Sequence, residues 1–234
     1  MFVRYVIALC ALGLSFGANA KIVSHYELNV GDFSELKVAD GINVDYRCNP
    51  DSNGIVTFDA TSDIASVITF TNNKKRLEIE LSPEGTETKG LPTVIVYSQF
   101  LTKVENYGDS SVRVLSVTSG PDFKARLIGN GRLVVRNVSA SQVDASINTG
   151  NGLLVIYGKC TTAKFNNTGT GNIQADDLVA QKVKCVQVGT GSIGCSASEE
   201  LVIYGASGSV YYKGNPEIKN RAIKVKAIEI DTEK

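Results

Sequence analysis

Gly129-Asn-Gly-Arg-Leu133, Gly150-Asn-Gly-Leu-Leu154, Gly169-Thr-Gly-Asn-Ile173 and Gly189-Thr-Gly-Ser-Ile193 are four copies of one short motif, recurring about every twenty residues. Gly108-Asp-Ser-Ser-Val112 precedes them, and a degenerate copy, Ala206-Ser-Gly-Ser-Val210, closes the series. A fixed period that carries turn residues and an apolar residue in phase marks a repeat architecture, in which each unit buries its hydrophobic face only against its neighbours. Counted from the first residue of each motif, position four on is Val112, Leu133, Leu154, Ile173, Ile193 and Val210. Position six on is Val114, Val135, Ile156, Ala175, Cys195 and Tyr212. Residues two apart on a strand share a face, so these two columns are expected to point into one core.

Four positions before each motif lies a more variable column: Val104, Ala125, Ser146, Phe165, Cys185 and Val202, also expected to face inward. Two positions before it stand Asn106, Asn148, Asn167 and Gln187, interrupted by Leu127; stacked amides of this kind are expected to hydrogen-bond from coil to coil. Glycine at the corner serves positive φ and the close approach of stacked backbones. The expected fold is all-β, a right-handed β-solenoid (β-helix-like) of five or six coils, about 25 Å tall at a rise of about 4.8 Å per coil.

The ends and the composition fit this reading. Met1-Phe-Val-Arg4, the apolar run from Tyr5 to Phe16 and the Ala18-Asn-Ala20 site have the form of a secretory signal peptide, with cleavage expected after Ala20. Later segments lack the apolar length of a membrane span, so an extracytoplasmic protein, periplasmic, secreted or at the cell surface, is expected without membrane insertion. The 24 basic and 24 acidic residues balance, and loss of Arg4 leaves one unit of negative charge; this offers no electrostatic reason to expect nucleic acid. The organisation expected is a signal peptide (1–20), a strand-rich N-terminal capping region (21–100), the coils (101–220) and a C-terminal strand or tail (221–234). In the second of these, strands are expected at Phe33–Lys37, Ile42–Tyr46, Ile55–Ala60, Val67–Phe70, Leu77–Leu81 and Thr93–Tyr97, with Asn72-Asn-Lys-Lys75 as a hairpin turn. An open solenoid end needs a cap, and this region is expected to cover one end. The tail from Ala222 to Ile230 is expected to cover the other or to add an edge strand.

Asp40-Gly-Ile-Asn-Val44, then a loop and the Val56-Thr-Phe58 strand, then Leu77-Glu-Ile-Glu-Leu81, Pro92-Thr-Val-Ile-Val-Tyr97 and the glycine coils, resemble in kind and order the auto-transporter adhesin head GIN domain family. The resemblance runs from about Phe33 to Asn220. It implies an exported bacterial protein of a type common in Bacteroidetes, with a β-solenoid-like fold and an adhesin role. Ala206 in place of the first glycine, and a tail after Pro216 without closing glycines, depart from the family pattern.

Catalytic chemistry finds little support. Gly189-Thr-Gly-Ser-Ile-Gly194 spells a dinucleotide-binding pattern, but such a fingerprint must open a helix, and Cys195-Ser-Ala-Ser198 does not read as one. His25 is the only histidine and lies outside the recognisable strands, so a serine nucleophile has no convincing base. The carboxylates Asp109, Asp122, Asp144, Asp176 and Asp177 fall at different offsets within the coils, and the adjacent pair is expected in a solvated turn. Cys48, Cys160, Cys185 and Cys195 lack zinc-site spacing; free thiols stacked in apolar columns are the favoured reading, with disulfide pairing left open. No cofactor or metal is expected.

What remains is the surface. Position five on, opposite the core, is Arg113, Val134, Val155, Gln174, Gly194 and Tyr211. Val134, Val155, Tyr157, Tyr204 and Tyr211 are the candidate binding face, suited to sugar rings or a protein partner, unless the tail packs over them. The function expected is a non-enzymatic exported binding or adhesion module for a glycan or a cell-surface or matrix protein, with homo-oligomers allowed. The alternatives are a polysaccharide-active enzyme and a self-assembling envelope protein.

Overall fold

The computed structural model describes residues 22–83 and 89–230; the expected signal peptide and cleavage site lie outside the described residues. The N-terminal strands are β1 (Ser24–Asn29), β2 (Glu35–Ala39), β3 (Asn43–Cys48) and β4 (Ile55–Ala60). A single helical turn, α1 (Ser62–Ala65), leads to β5 (Ile68–Asn73), β6 (Arg76–Leu81) and β7 (Thr93–Ser98). Then come β8 (Lys103–Tyr107), β9 (Ser111–Val114) and β10 (Gly120–Leu127). Four long strands carry the repeat: β11 (Arg132–Ile147), β12 (Leu153–Asn167), β13 (Asn172–Gln187) and β14 (Ser192–Gly205). The chain ends in β15 (Ser209–Lys213), β16 (Glu217–Asn220) and β17 (Lys226–Glu229). Strand makes up 65% of the described residues, and the whole is an all-β solenoid of about six turns with coils of about 20 residues.

Each long strand pairs in three stretches, because the ladder shifts after Val135, Val155 and Ala175 and again skips a residue near Ala140 and Cys160. The result is two long parallel ladders and a short one joining them. The first ladder follows the glycine corners and runs β7, β3, β9, then the starts of β11 to β14, then β15 and β17. The second precedes the corners and runs β6, β2, β8, β10, the ends of β11 to β14, and β16. The stack therefore continues through the N-terminal region. There the coil built from β2 and β3 is seated between the β6/β7 coil and the β8/β9 coil, out of chain order. Antiparallel strands close this end: β4 pairs with the edge of β7, β1 with β4, and β5 with β6. At the other end β17 extends the first ladder as an edge strand rather than packing over it.

The two columns after the glycine line the core: Val112, Leu133, Leu154, Ile173, Ile193 and Val210 are fully buried, as are Val114, Val135, Ile156, Ala175 and Cys195, whereas Tyr212 is half-buried. The column before the glycine differs from the sequence expectation at two places. Ala145 and Ile203 face inward in register with Phe165 and Cys185, whereas Ser146 and Val202 face out. The cause is corner length. Five steps separate Asn167 from Asn172, but six separate Ile147 from Leu153 and four separate Gly205 from Ser209, so counting back from the motif lands one residue off. A one-residue slip exchanges the faces of a strand.

The same slip removes Asn148 from the amide column: it is exposed, and Ile147 takes the place. The corner column is Asn106, Leu127, Ile147, Asn167 and Gln187, all buried. Its amides close their own corners, and two of them also reach the next coil as expected, Asn106 Nδ2 donating to the Arg132 carbonyl (3.3 Å) and Asn167 Nδ2 to the Ser192 carbonyl (3.4 Å). Asn167 Nδ2 donates to the Gly171 carbonyl (2.8 Å), and its Oδ1 accepts from Gly169 N–H (3.2 Å). Asn106 does the same with Ser110 and Gly108, and Gln187 donates to Gly189. The family-like Asp40-Gly-Ile-Asn-Val44 run is a corner of this kind. Asp40 adopts positive φ and accepts Leu81 N–H, Ile42 is buried, and Asn43 Oδ1 accepts Ser111 N–H from the next coil. Gly189 to Gly194 turns into β14, a strand and not a helix.

Candidate functional site

The outward residues of the first ladder stack in one row: Asp45, Arg113, Val134, Val155, Gln174, Gly194, Tyr211 and Ile228. On a parallel in-register sheet equal offsets must align, so the row is straight. Val134 and Val155, expected to form an exposed apolar patch, are only 8% and 4% accessible. Valine is short and its neighbours are long. A cleft of about 540 Å3 opens here, with Val134 in its floor and Arg113, Arg132, Arg136 and Tyr157 around it.

These polar groups differ in freedom. Arg113 grips buried Asp45 through two hydrogen bonds of 2.6 Å, Nε to Oδ1 and Nη2 to Oδ2, and this contact raises the guanidinium's pKa. Arg136 lies 5.8 Å from the centre of the half-exposed Tyr157 ring. Among the described residues, neither Arg132 nor Arg136 has a carboxylate within ion-pairing distance. The cleft thus offers two unpaired guanidinium groups and an aromatic face above an apolar floor. Reading only position five after the glycine missed Arg132 and Arg136, which sit at positions three and seven of the Gly129 coil; their alternation with Val134 was the available signal.

The other two tyrosines lie elsewhere. Tyr211 shares the row but stands beyond Gln174 and Gly194, next to Ile228 at the C-terminal end. Tyr204 belongs to the second ladder, opposite Val186, where Lys184 and Arg221 lie 4.9 and 5.9 Å from its ring centre and Arg221 donates to its hydroxyl. So the structure brings together Val134, Val155 and Tyr157 and separates Tyr204 and Tyr211 from them.

The adjacent carboxylates and the histidine considered for catalysis are each engaged by a neighbouring side chain. Asp176 and Asp177 both bind Lys213, at 2.8 and 3.1 Å, and the Asp176 contact is the chief reason the lysine's pKa is raised. His25 lies on strand β1 and not on a loose terminus; its exposed ring meets Asp59 at 2.7 Å across the β1/β4 pair. Among the described residues no group of three or more histidine, cysteine or acidic side chains is arranged to hold a metal ion. The four cysteines are free thiols: Cys185 and Cys195 are buried with sulfurs 4.0 Å apart, and burial pushes half-buried Cys160 up to about 11. No helix among the described residues is long and apolar enough to cross a membrane.

Comparison with known proteins adds the lineage. Among solved structures, a "putative adhesin" from Bacteroides fragilis NCTC 9343 superposes with a TM-score of 0.81 at 19% identity, covering 90% of this chain and 98% of the other. A "putative lipid binding protein" from Parabacteroides distasonis ATCC 8503 gives 0.71 at 17% identity, covering 89% and 97%. A "putative adhesin" from Parabacteroides merdae ATCC 43184 gives 0.67 at 18%, covering 91% and 98%. At such identities the likeness is one of fold. No curated protein matches the sequence. The model of the family described as "Putative auto-transporter adhesin, head GIN domain" matches residues 32–216, and the chain belongs to that family.

Proposed function

We propose that this protein is an exported, non-enzymatic binding module of adhesin type, which holds a glycan or a cell-surface or matrix protein against the rigid face of its solenoid. The observation that carries the reading is the first-ladder cleft, where Arg132 and Arg136 stand without carboxylate partners beside Tyr157 and over Val134. Unpaired arginines and an exposed ring on a preformed surface provide hydrogen bonds, charge and stacking without reorganisation. The family and its structural neighbours support the same class. Against an enzyme stands the pairing of Asp176 and Asp177 with one lysine, which leaves neither as an obvious acid or base.

The test is a glycan and matrix-protein array probed with the purified protein and with Arg132→Gln/Arg136→Gln/Tyr157→Ala. Loss of a ligand in the triple variant, with the circular dichroism spectrum unchanged, supports the proposal. Saccharide cleavage abolished by Asp176→Asn or Asp177→Asn would overturn it.

Self-assembly is a second reading, favoured by one feature. Among the described residues β17 is paired on one side only, and it exposes Ile228, with Ile223 exposed close by. An unpaired edge with apolar residues is a template for another chain, although Lys224 and Lys226 oppose this. Sedimentation of the wild type against Ile228→Lys decides it: self-assembly requires a concentration-dependent oligomer that the variant loses.

A further inference from the structure

The second ladder sorts the protein's balanced charges in a way that the first does not. One outward row reads Lys103, Lys124, Asp144, Lys164, Lys184, Val202, Lys219 in strict register. Its two ends are neutralised. Lys103 pairs with Glu35 and buried Glu105, and Lys219 with Glu200 (2.9 Å), which lowers that carboxyl's pKa. The middle is not. Among the described residues, Lys124, Lys164, Lys184 and the neighbouring Lys182 have no carboxylate within 4.0 Å, and Asp144 is the one acid in the middle of the row. Between Lys164, Lys182 and Lys184 lies a shallow cleft of about 290 Å3, lined also by Gln142, Thr162, Val202 and the carboxylate of Glu200, which is already engaged by Lys219.

Like charges on neighbouring strands repel, so stacking Lys164 directly on Lys184 works against the sheet. An anion lying across both relieves that repulsion and restores the missing partners. We infer that this row binds a linear acidic polysaccharide, with carboxylate or sulfate groups along its length, laid parallel to the solenoid axis. Parallel in-register pairing makes the row straight, with positions about 4.8 Å apart that are cationic at Lys124, Lys164 and Lys184 and interrupted by Asp144. That geometry suits an extended polyanion. Val202, in the same outward row, offers an apolar contact for the C–H face of a sugar ring. Lysine, a mobile point charge, serves a polymer of irregular charge placement better than the fixed fork of arginine would. Single-stranded nucleic acid fits less well, because it needs free aromatic platforms. On this ladder the Tyr204 ring is already occupied by Lys184 and Arg221, and the Tyr107 ring by Lys37.

The inference rests on the reading of the protein as a binding module and names a ligand class and a second face for it. The test measures the protein's affinity for heparin, polygalacturonate, neutral dextran and an oligothymidylate. Three variants accompany it: Lys124→Gln/Lys164→Gln/Lys184→Gln, the charge-matched control Lys74→Gln/Lys89→Gln/Lys159→Gln, and Arg132→Gln/Arg136→Gln. The acidic polysaccharides should bind and dextran should not. The row variant should lose at least about tenfold in affinity and lower the slope of log affinity against log salt by about two, for three lost ion contacts. The control should bind as the wild type does, and the arginine variant should lose less affinity than the row variant. Equal losses in row and control variants, loss in the arginine variant alone, or tighter binding of the oligothymidylate would each overturn the inference. If neither acidic polysaccharide binds while an array ligand is still lost on Arg132→Gln/Arg136→Gln/Tyr157→Ala, this inference fails and the binding-module reading stands.

Discussion

A β-carbon added at Gly191 would lie 1.8 Å from the Gly171 carbonyl oxygen, and one at Gly189 equally close to the Gly169 carbonyl. Neither residue has positive φ; among the motif glycines Gly129, Gly150 and Gly208 do. The motif is therefore glycine chiefly because coils touch backbone to backbone at the corner. Gly191→Ala should cost about 3 kcal/mol, since the strain sits in backbone that cannot step aside, and urea unfolding measures it. Tyr46 makes a second argument at this scale. It is fully buried, its hydroxyl bonds Ser98, and burial pushes its pKa up to about 12. The unfolded chain releases this proton near pH 10, so in the alkaline window the unfolded state binds fewer protons and stability falls as pH rises. The loss from this group should be complete near pH 12 and amount to roughly 2–3 kcal/mol. Ultraviolet titration should find one tyrosine ionising only as the fold is lost, and Tyr46→Phe should remove that step.

Among the elements, the β5–β6 hairpin shows how far local chemistry reaches. Asn73 pairs with Arg76, and the two residues between them, Lys74 and Lys75, adopt φ of 52° and 65°. This is a two-residue turn with both central residues in the left-handed region, which asparagine and glycine accept more readily than lysine. Lys74→Asn/Lys75→Gly should add about 1 kcal/mol to stability, read as a higher urea midpoint; no gain would mean that the lysine stems make compensating contacts. All six strands expected upstream of the coils exist as β2 to β7, with ends that differ by at most three residues. Their alternation was legible because each is half-buried and short. Strand β1 was not, since Ser24–Asn29 carries few apolar residues and is held by the edge of β4 rather than by its own pattern.

For the whole molecule, the two ends of the solenoid are finished differently. Antiparallel β4 and β5 cover the outer edges of β7 and β6, with β1 beyond β4, while among the described residues β16 and β17 carry no further strand. What the sequence determined by itself was the repeat: the glycine corners, the Leu154 and Val135 columns and the all-β class follow from local period and turn chemistry, and each survives in the structure. Tertiary structure alone decided three further things. It seated the β2/β3 coil between β6/β7 and β8/β9, because parallel coils pair by fit of their edges and not by chain order. It chose Ala145 over Ser146 and Ile147 over Asn148, because corner length sets register and one residue of slip exchanges inside for outside. And it arranged the surface, covering Val134 with arginines and stacking Lys164 on Lys184, because which side chains meet across coils depends on register that a count from the glycines only approximates.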